Sequence, residues 1–188
     1  FKKSDQSTLF FNTLNTMYSL SLSNSENAPK AILKLSELMR YVIYDASKPY
    51  VNIQEEMDYL ENYFEIRKIR LSNKTEIHFE SKIDELSYPV LSLLFINLLE
   101  NAFKHGVESM IKGGYIHCSI QLQKGELQFH VKNQYGNNEQ KKEGKGLINL
   151  KRRLNLAYTD AHSLTIKDEN GIVDVSLTID KTDEVSHS

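Results

Sequence analysis

Residues 97–106 read NLLENAFKHG, and no other stretch limits the possible folds so tightly. At about 100° per residue, Asn97, Glu100, Asn101, Lys104 and His105 share a wedge roughly 140° wide. Leu98, Leu99, Ala102 and Phe103 take the opposite side. The run before it, PVLSLLFI, is almost wholly apolar, so the helix is expected to begin there and to be buried all round over its first two turns. A helix so deep in a core carries amides, a carboxylate and a lysine only where something polar lies against them.

The rest of the chain supplies the surroundings. Between Thr8 and Leu22, apolar residues recur at helical spacing (Leu9, Phe10, Leu14, Met17, Tyr18, Leu20). A polar loop, 21–27, leads to a second helix with Pro29 in its first turn and an apolar face of Ile32, Leu33, Leu35, Leu38, Met39, Val42 and Ile43. One such hairpin cannot bury both stripes, so it is expected to pair with a second copy in a four-helix bundle or to pack on the rest of the chain. Tyr41, Tyr44 and Tyr50 read as packing residues at the end of the hairpin. A third helix spans about 54–71, with Met57, Leu60, Tyr63, Phe64 and Ile66 inward; Glu55 and Glu56 near its start suit the helix dipole and read as solvated surface.

Then come a strand (75–81), the 97–106 helix, and a hairpin of strands 115–123 and 126–133 around Lys124-Gly125. A helix (147–158) and a last hairpin turning at Glu169-Asn170-Gly171 complete the pattern. The expected class is α+β: residues 1–50 a helical hairpin, residues 51–188 a linker helix and helices layered on a largely antiparallel sheet.

With 188 residues, 40% hydrophobic, 26% charged and a net charge of −2, the chain has no basic field that would call for nucleic acid. A single cysteine, Cys118, excludes an internal disulfide, and the six histidines show no metal-site spacing; His78, His117 and His130 read as ordinary strand residues. There is no membrane-length apolar run. Because the chain starts at Phe1, it reads as a cytoplasmic piece of a longer protein whose missing N-terminal part would provide any membrane contact.

Three polar features line up along the chain: the wedge at 97–105, Asn133 at a strand end in VKNQYG, and Gly144 and Gly146 in GKGLINLKRRL, opening a helix. Free N–H groups and the dipole at such a helix start suit phosphate, although the same glycines also serve a plain loop-to-helix junction. Asn97 and Asn101 with Lys104 nearby suit a Mg²⁺–triphosphate, because a hard cation on phosphates needs only one or two protein oxygens.

NLLENAFKHG resembles the N box of the GHKL nucleotide-binding superfamily, and GKGLINLKRRL resembles its last glycine box, GxGLxNxxxRL. LFFNTLNTMYSL together with YVNIQEEMDYLENYFEIRKIRLSNK resembles the LytS/YehU-type sensor histidine kinases, whose signature runs N-P-H-F-L-F-N-x-L-N, then an ExxxxxxYxxIxxxR helix, then the ATP domain. The resemblance implies a Bergerat-type α/β sandwich binding ATP and Mg²⁺, a homodimer through the N-terminal helices, a response regulator as partner, and a full-length protein in the bacterial inner membrane facing the cytoplasm. It implies Asn101 as Mg²⁺ ligand, Asn97 in support, Lys104 and His105 at the phosphates, and Asn133 at the place of the adenine-reading aspartate. Residues 136–146 become the ATP lid, and Gly144, Gly146, Leu147, Asn149 and Arg153 its glycine-box end. Glu100 lies on the same wedge. ATP-hydrolysing relatives carry a glutamate where this chain has Asn97, which points to a kinase or binding site rather than a gyrase-like ATPase.

Aligned on Phe11-Asn12, the family's phosphoacceptor histidine falls on Thr8. A threonine forms no phosphoramidate, and its hydroxyl is a poor nucleophile without a neighbouring base. The chain as written is therefore expected not to autophosphorylate. A locally altered kinase, a silent ATP-binding dimerisation module, phosphorylation of Thr8 itself, and a response-regulator phosphatase using Asn12, one turn beyond Thr8, are the readings left open.

Overall fold

A computed structural model of the chain describes residue 18 and residues 28–45, 48–70, 75–106, 113–135 and 145–180. The described residues fall into two compact units: those up to 70 together with Pro89–Leu93, and the remainder.

In the first unit, helix α1 (Ala28–Arg40) runs into a π turn, Tyr41–Asp45. It packs on α2 (Ile53–Arg70). Ala31, Leu35, Leu38, Tyr41 and Val42 bury the inner stripe of α1 against the apolar side of α2, where Met57, Leu60, Tyr63, Phe64 and Ile66 are all buried as their spacing predicts. Ile32, Leu33 and Ile43 stay more than half exposed. Tyr44, expected to pack, is 69% exposed. A short antiparallel pair, β1 (Tyr50–Asn52) and β3 (Pro89–Leu91), completes the unit.

The start of α2 corrects the surface reading of Glu55 and Glu56. The Asn52 N–H donates to Glu55 Oε2 at 2.8 Å, the reciprocal half of a capping box, so Glu55 fastens the helix start. Glu56 is fully buried. Its Oε1 accepts from the Tyr41 hydroxyl and from the Leu93 N–H, the latter at 2.5 Å.

Residues 90–96 are buried as expected, but only Ile96 of them is helical. Pro89–Leu91 is a strand, residues 92–95 turn, and helix α3 covers Ile96–His105. Leu93 sits at φ +56°, in the left-handed region. That conformation costs an L-residue roughly 1–2 kcal/mol, and burial of the side chain to 8% exposure offsets it.

The second unit is a five-stranded sheet in the order β2-β4-β5-β7-β6. Its strands are β2 (Glu76–Ile83), β4 (Tyr115–Gln123), β5 (Glu126–Gln134), β6 (His162–Glu169) and β7 (Ile172–Ile179). Only β2 and β4 are parallel; the other pairings are antiparallel. Both hairpins turn on two left-handed residues, Lys124-Gly125 (φ 55° and 83°) and Asn170-Gly171 (φ 53° and 79°), which is the turn that matches the strand twist. Strict alternation turns Ile116, Cys118, Ile120 and Leu122 of β4 and Leu127, Phe129 and Val131 of β5 to one buried face. Helix α3 contacts β4, β5 and α4 (Lys145–Ala157), which seats Leu150 and Leu154 in the core. The other face of the sheet is polar and carries His78, His117 and His130, the last 2.9 Å from Asp174.

Candidate functional site

The wedge read from the sequence keeps its orientation in α3. Leu98, Leu99, Ala102 and Phe103 are buried, Asn97 and Glu100 are half-buried, and Asn101 and Lys104 are exposed. His105 closes the helix; its side chain lies outside the description.

Asn133 ends the buried column of β5, so a polar amide stands where Leu127, Phe129 and Val131 lead the eye to expect another apolar residue. It is 2% exposed. Its Nδ2 donates to the Gln134 carbonyl at 3.3 Å, which leaves Oδ1 as the acceptor side of the amide. The amide rests against Gly106, at the C-terminal end of α3: a Cβ there would fall 2.4 Å from Asn133 Nδ2 and 2.1 Å from the Ala102 carbonyl oxygen. Gly106 is thus what lets the end of β5 meet the end of α3. The sequence shows this glycine inside the motif but gives no sign of its neighbour.

At the start of α4, a Cβ on Gly146 would meet nothing within 4 Å. Leu147 and Arg153 are half-buried and Asn149 is exposed. Because α3 and α4 contact each other and α3 contacts β5, these residues belong to one region of the second unit. Thr8, Asn12 and Gly144 lie outside the described residues.

Three further residues were not legible as special. Tyr135 fastens the chain just after Asn133 to the β6–β7 hairpin: its N–H donates to the Gly171 carbonyl at 2.9 Å and its hydroxyl to Asp168 Oδ1 at 2.5 Å. The hydrogen bond to Asp168 raises the Tyr135 pKa. Arg67 is buried in α2, with its guanidinium carbon 4.9 Å from the centre of the Tyr63 ring. The Tyr41 hydroxyl pKa is pushed far above its ordinary value, first by burial and then by the Glu56 carboxylate, which keeps the hydroxyl protonated.

A cleft of about 430 Å³ lies between α1 and α2, with Lys34, Arg40, Glu55 and Asp58 among its walls. Lys34 is engaged there by Glu37 and Glu65, each at 3.6 Å. None of Asn97, Glu100, Asn101, Lys104, Asn133 and Gly146 lines it. Among the described residues no group of three or more His, Cys, Asp or Glu side chains is arranged for a metal, and no helix is long and apolar enough to cross a membrane.

Comparison with known proteins points the same way. Residues 6–75 match the family model described as histidine kinase. It is similar to the sensor protein kinase HptS of Staphylococcus aureus, 31% identical over 96 residues; that match takes in 51% of this chain and 18% of HptS, so the chain spans about a fifth of the length of such relatives. Among solved structures, the Acinetobacter baumannii histidine kinase AdeS matches over 88% of this chain and 84% of its own, with a TM-score of 0.51 and 11% identity. The histidine kinase domain of the Erythrobacter litoralis EL346 blue-light activated kinase matches over 82% and 74%, with a TM-score of 0.52 and 14% identity. These two likenesses show the mixed α+β fold.

Proposed function

We propose that this chain is the nucleotide-binding and dimerising core of a sensor histidine kinase, and that Mg·ATP binds across α3, the end of β5 and the start of α4. Asn101, with Asn97, would hold Mg²⁺ through amide oxygens; Lys104 and His105 would meet the phosphates; Asn133 Oδ1 would accept the adenine amino N–H. Glu100 lines the same wedge, and Gly144, Gly146, Leu147, Asn149 and Arg153 close the phosphate end. Mg²⁺ supplies charge neutralisation for phosphoryl transfer, in which positioning does most of the work. The family chemistry breaks the γ-phosphorus–oxygen bond of ATP and forms a phosphorus–nitrogen bond at histidine, before an aspartate of a response regulator takes the phosphoryl group.

The observation that carries the nucleotide reading is Gly146. A glycine near the start of a helix, with open space where its side chain would go, is worse than alanine for the helix itself by roughly 0.5–1 kcal/mol. Close approach of a phosphate to the backbone gives it a use. Exposure of Ile32 and Leu33 on α1 and of Ile43 in the π turn that follows supports the homodimer. Thr8 favours a second reading, a silent ATP-binding module or a regulator phosphatase working through Asn12, because the hydroxyl cannot take the place of an imidazole. Membrane attachment belongs, on this reading, to the longer protein.

Two experiments test the two parts. Gly146→Ala is expected to raise the melting temperature slightly while weakening Mg·ATP binding by roughly tenfold, about the loss of one charge-assisted contact. Unchanged affinity would remove the phosphate role. Incubation with γ-labelled Mg·ATP is expected to leave acid-labile label on a Thr8→His chain and none on the chain as written; label on neither, with ATP bound to both, would favour the silent module.

A further inference from the structure

We propose that Tyr135 is a positioning residue that sets base specificity: clasped to the β6–β7 hairpin, it fixes which end of the Asn133 amide faces the base. This deepens the nucleotide reading of α3 and β5, and rests on it. A carboxylate at the end of β5 offers an acceptor whichever way it turns. The Asn133 amide has two ends of nearly the same shape and opposite function, Oδ1 accepting and Nδ2 donating. A half-turn about the last side-chain bond exchanges them. With Oδ1 presented, the site suits the amino group of adenine; with Nδ2 presented, it suits the carbonyl of a 6-oxo purine. Selectivity for adenine therefore depends on what holds the amide.

The hold lies in the peptide that follows. Asn133 is buried, and its Nδ2 donates to the Gln134 carbonyl at 3.3 Å, so a turned amide would set two carbonyl oxygens against each other. That carbonyl shares one planar peptide unit with the Tyr135 N–H, which donates to the Gly171 carbonyl at 2.9 Å. The turn of the β6–β7 hairpin thus sets the plane of the peptide that orients Asn133. The Tyr135 side chain closes the clasp, its hydroxyl donating to Asp168 Oδ1 at 2.5 Å. Strand register shows how far it reaches. Asn133 is opposite Val173, and Val173 is opposite Asp168, so the three share one row and one face of the sheet. The Tyr135 hydroxyl is therefore bonded two strands away from β5, in the row that holds Asn133. Every residue of the clasp belongs to the second unit.

The test is the ratio of Kd values for Mg·ITP and Mg·ATP, whose bases differ in carrying a 6-oxo or a 6-amino group, measured on the 188-residue chain. The unaltered chain is expected to favour ATP by roughly tenfold or more, the cost of one mismatched hydrogen bond in a buried site. Tyr135→Phe deletes the hydroxyl and keeps the ring, and Asp168→Ala breaks the same bond from its other end. Each is expected to cut the ratio roughly three- to fivefold, weakening ATP and strengthening ITP, whereas a merely structural role weakens both alike. In an Asn133→Asp chain, which has no amide to turn, adding Tyr135→Phe is expected to leave the ratio where it was. Tyr88→Phe, which deletes a hydroxyl bonded to the Gly125 carbonyl at 3.1 Å, is expected to leave the ratio of the unaltered chain unchanged. Hydrogen exchange followed by NMR on the Tyr135→Phe chain without nucleotide is expected to quicken several-fold at residue 135 and at the Asn133 side-chain amide, with Ile120 and Phe129 unchanged. A ratio unmoved by both Tyr135→Phe and Asp168→Ala would overturn the proposal, as would an equal loss for the two nucleotides. If the unaltered chain binds neither nucleotide, the nucleotide reading is what fails, and the exchange at these two groups still decides whether the hairpin holds the amide.

Discussion

Gly106 and Gly146 flank the motif helices and are glycine for opposite reasons. At Gly106 a side chain would strike the Ala102 carbonyl and the Asn133 amide, whereas at Gly146 it would meet nothing. Gly106→Ala should therefore destabilise the fold by about 1–3 kcal/mol, the usual range for overpacking, and displace Asn133. Urea unfolding with a parallel ATP titration checks both; unchanged stability would mean the backbone yields freely there. The two acids at the start of α2 teach a related lesson. Glu55 and Glu56 are neighbours of one kind, yet the first fastens the helix start and the second is fully buried. Sequence shows a pair of carboxylates near a helix N-terminus, which the dipole explains equally well on the surface. Their difference rests on Tyr41 and Leu93, 15 and 37 residues away, and no local pattern reaches that far.

Among the elements, periodicity was a good guide wherever one face met the core. The polar wedge of α3, the inward face of α2 and both two-residue hairpin turns follow from local spacing and turn chemistry. It failed over residues 89–96, because a short, wholly apolar run has no period and reads equally as buried strand or buried helix. The structure spends that run on a strand, a left-handed turn and only then a helix. Helix α1 departs from a simple amphipathic reading in another way. Leu35, Leu38 and Val42 are buried within the unit while Leu33, at 60% exposure, and Ile43, at 54%, face outward. Leu33→Glu should cost the isolated fold less than about 0.5 kcal/mol, as exposed positions do, yet shift sedimentation equilibrium toward monomer. A dimer that survives the substitution would place the interface elsewhere.

Across the whole molecule, the class was legible and the connectivity less so. The parallel pairing of β2 with β4, Glu76 opposite Tyr115, joins segments separated by strand β3 and helix α3, and alternation alone cannot distinguish it from an antiparallel neighbour. Nor does the sequence show that Pro89–Leu93 sides with the first unit while the residues on either side of it belong to the second. In a fragment covering 73–188, the Ser92 N–H loses the Pro49 carbonyl that accepts it at 3.0 Å, so its amide should exchange as in an unfolded peptide while Phe129 stays protected. Protection at Ser92 in that fragment would show that this turn holds itself.

That excursion also imposes an order in time. Chains leave the ribosome N-terminus first and domains tend to close as units, but here the first unit waits for residues 89–93, and part of the second is already made before they arrive. The strand opposite Tyr50–Asn52 is thus the last piece of the earlier unit to be synthesised. Until it emerges, buried Glu56 lacks the Leu93 amide, and the helical layer exists as an open half.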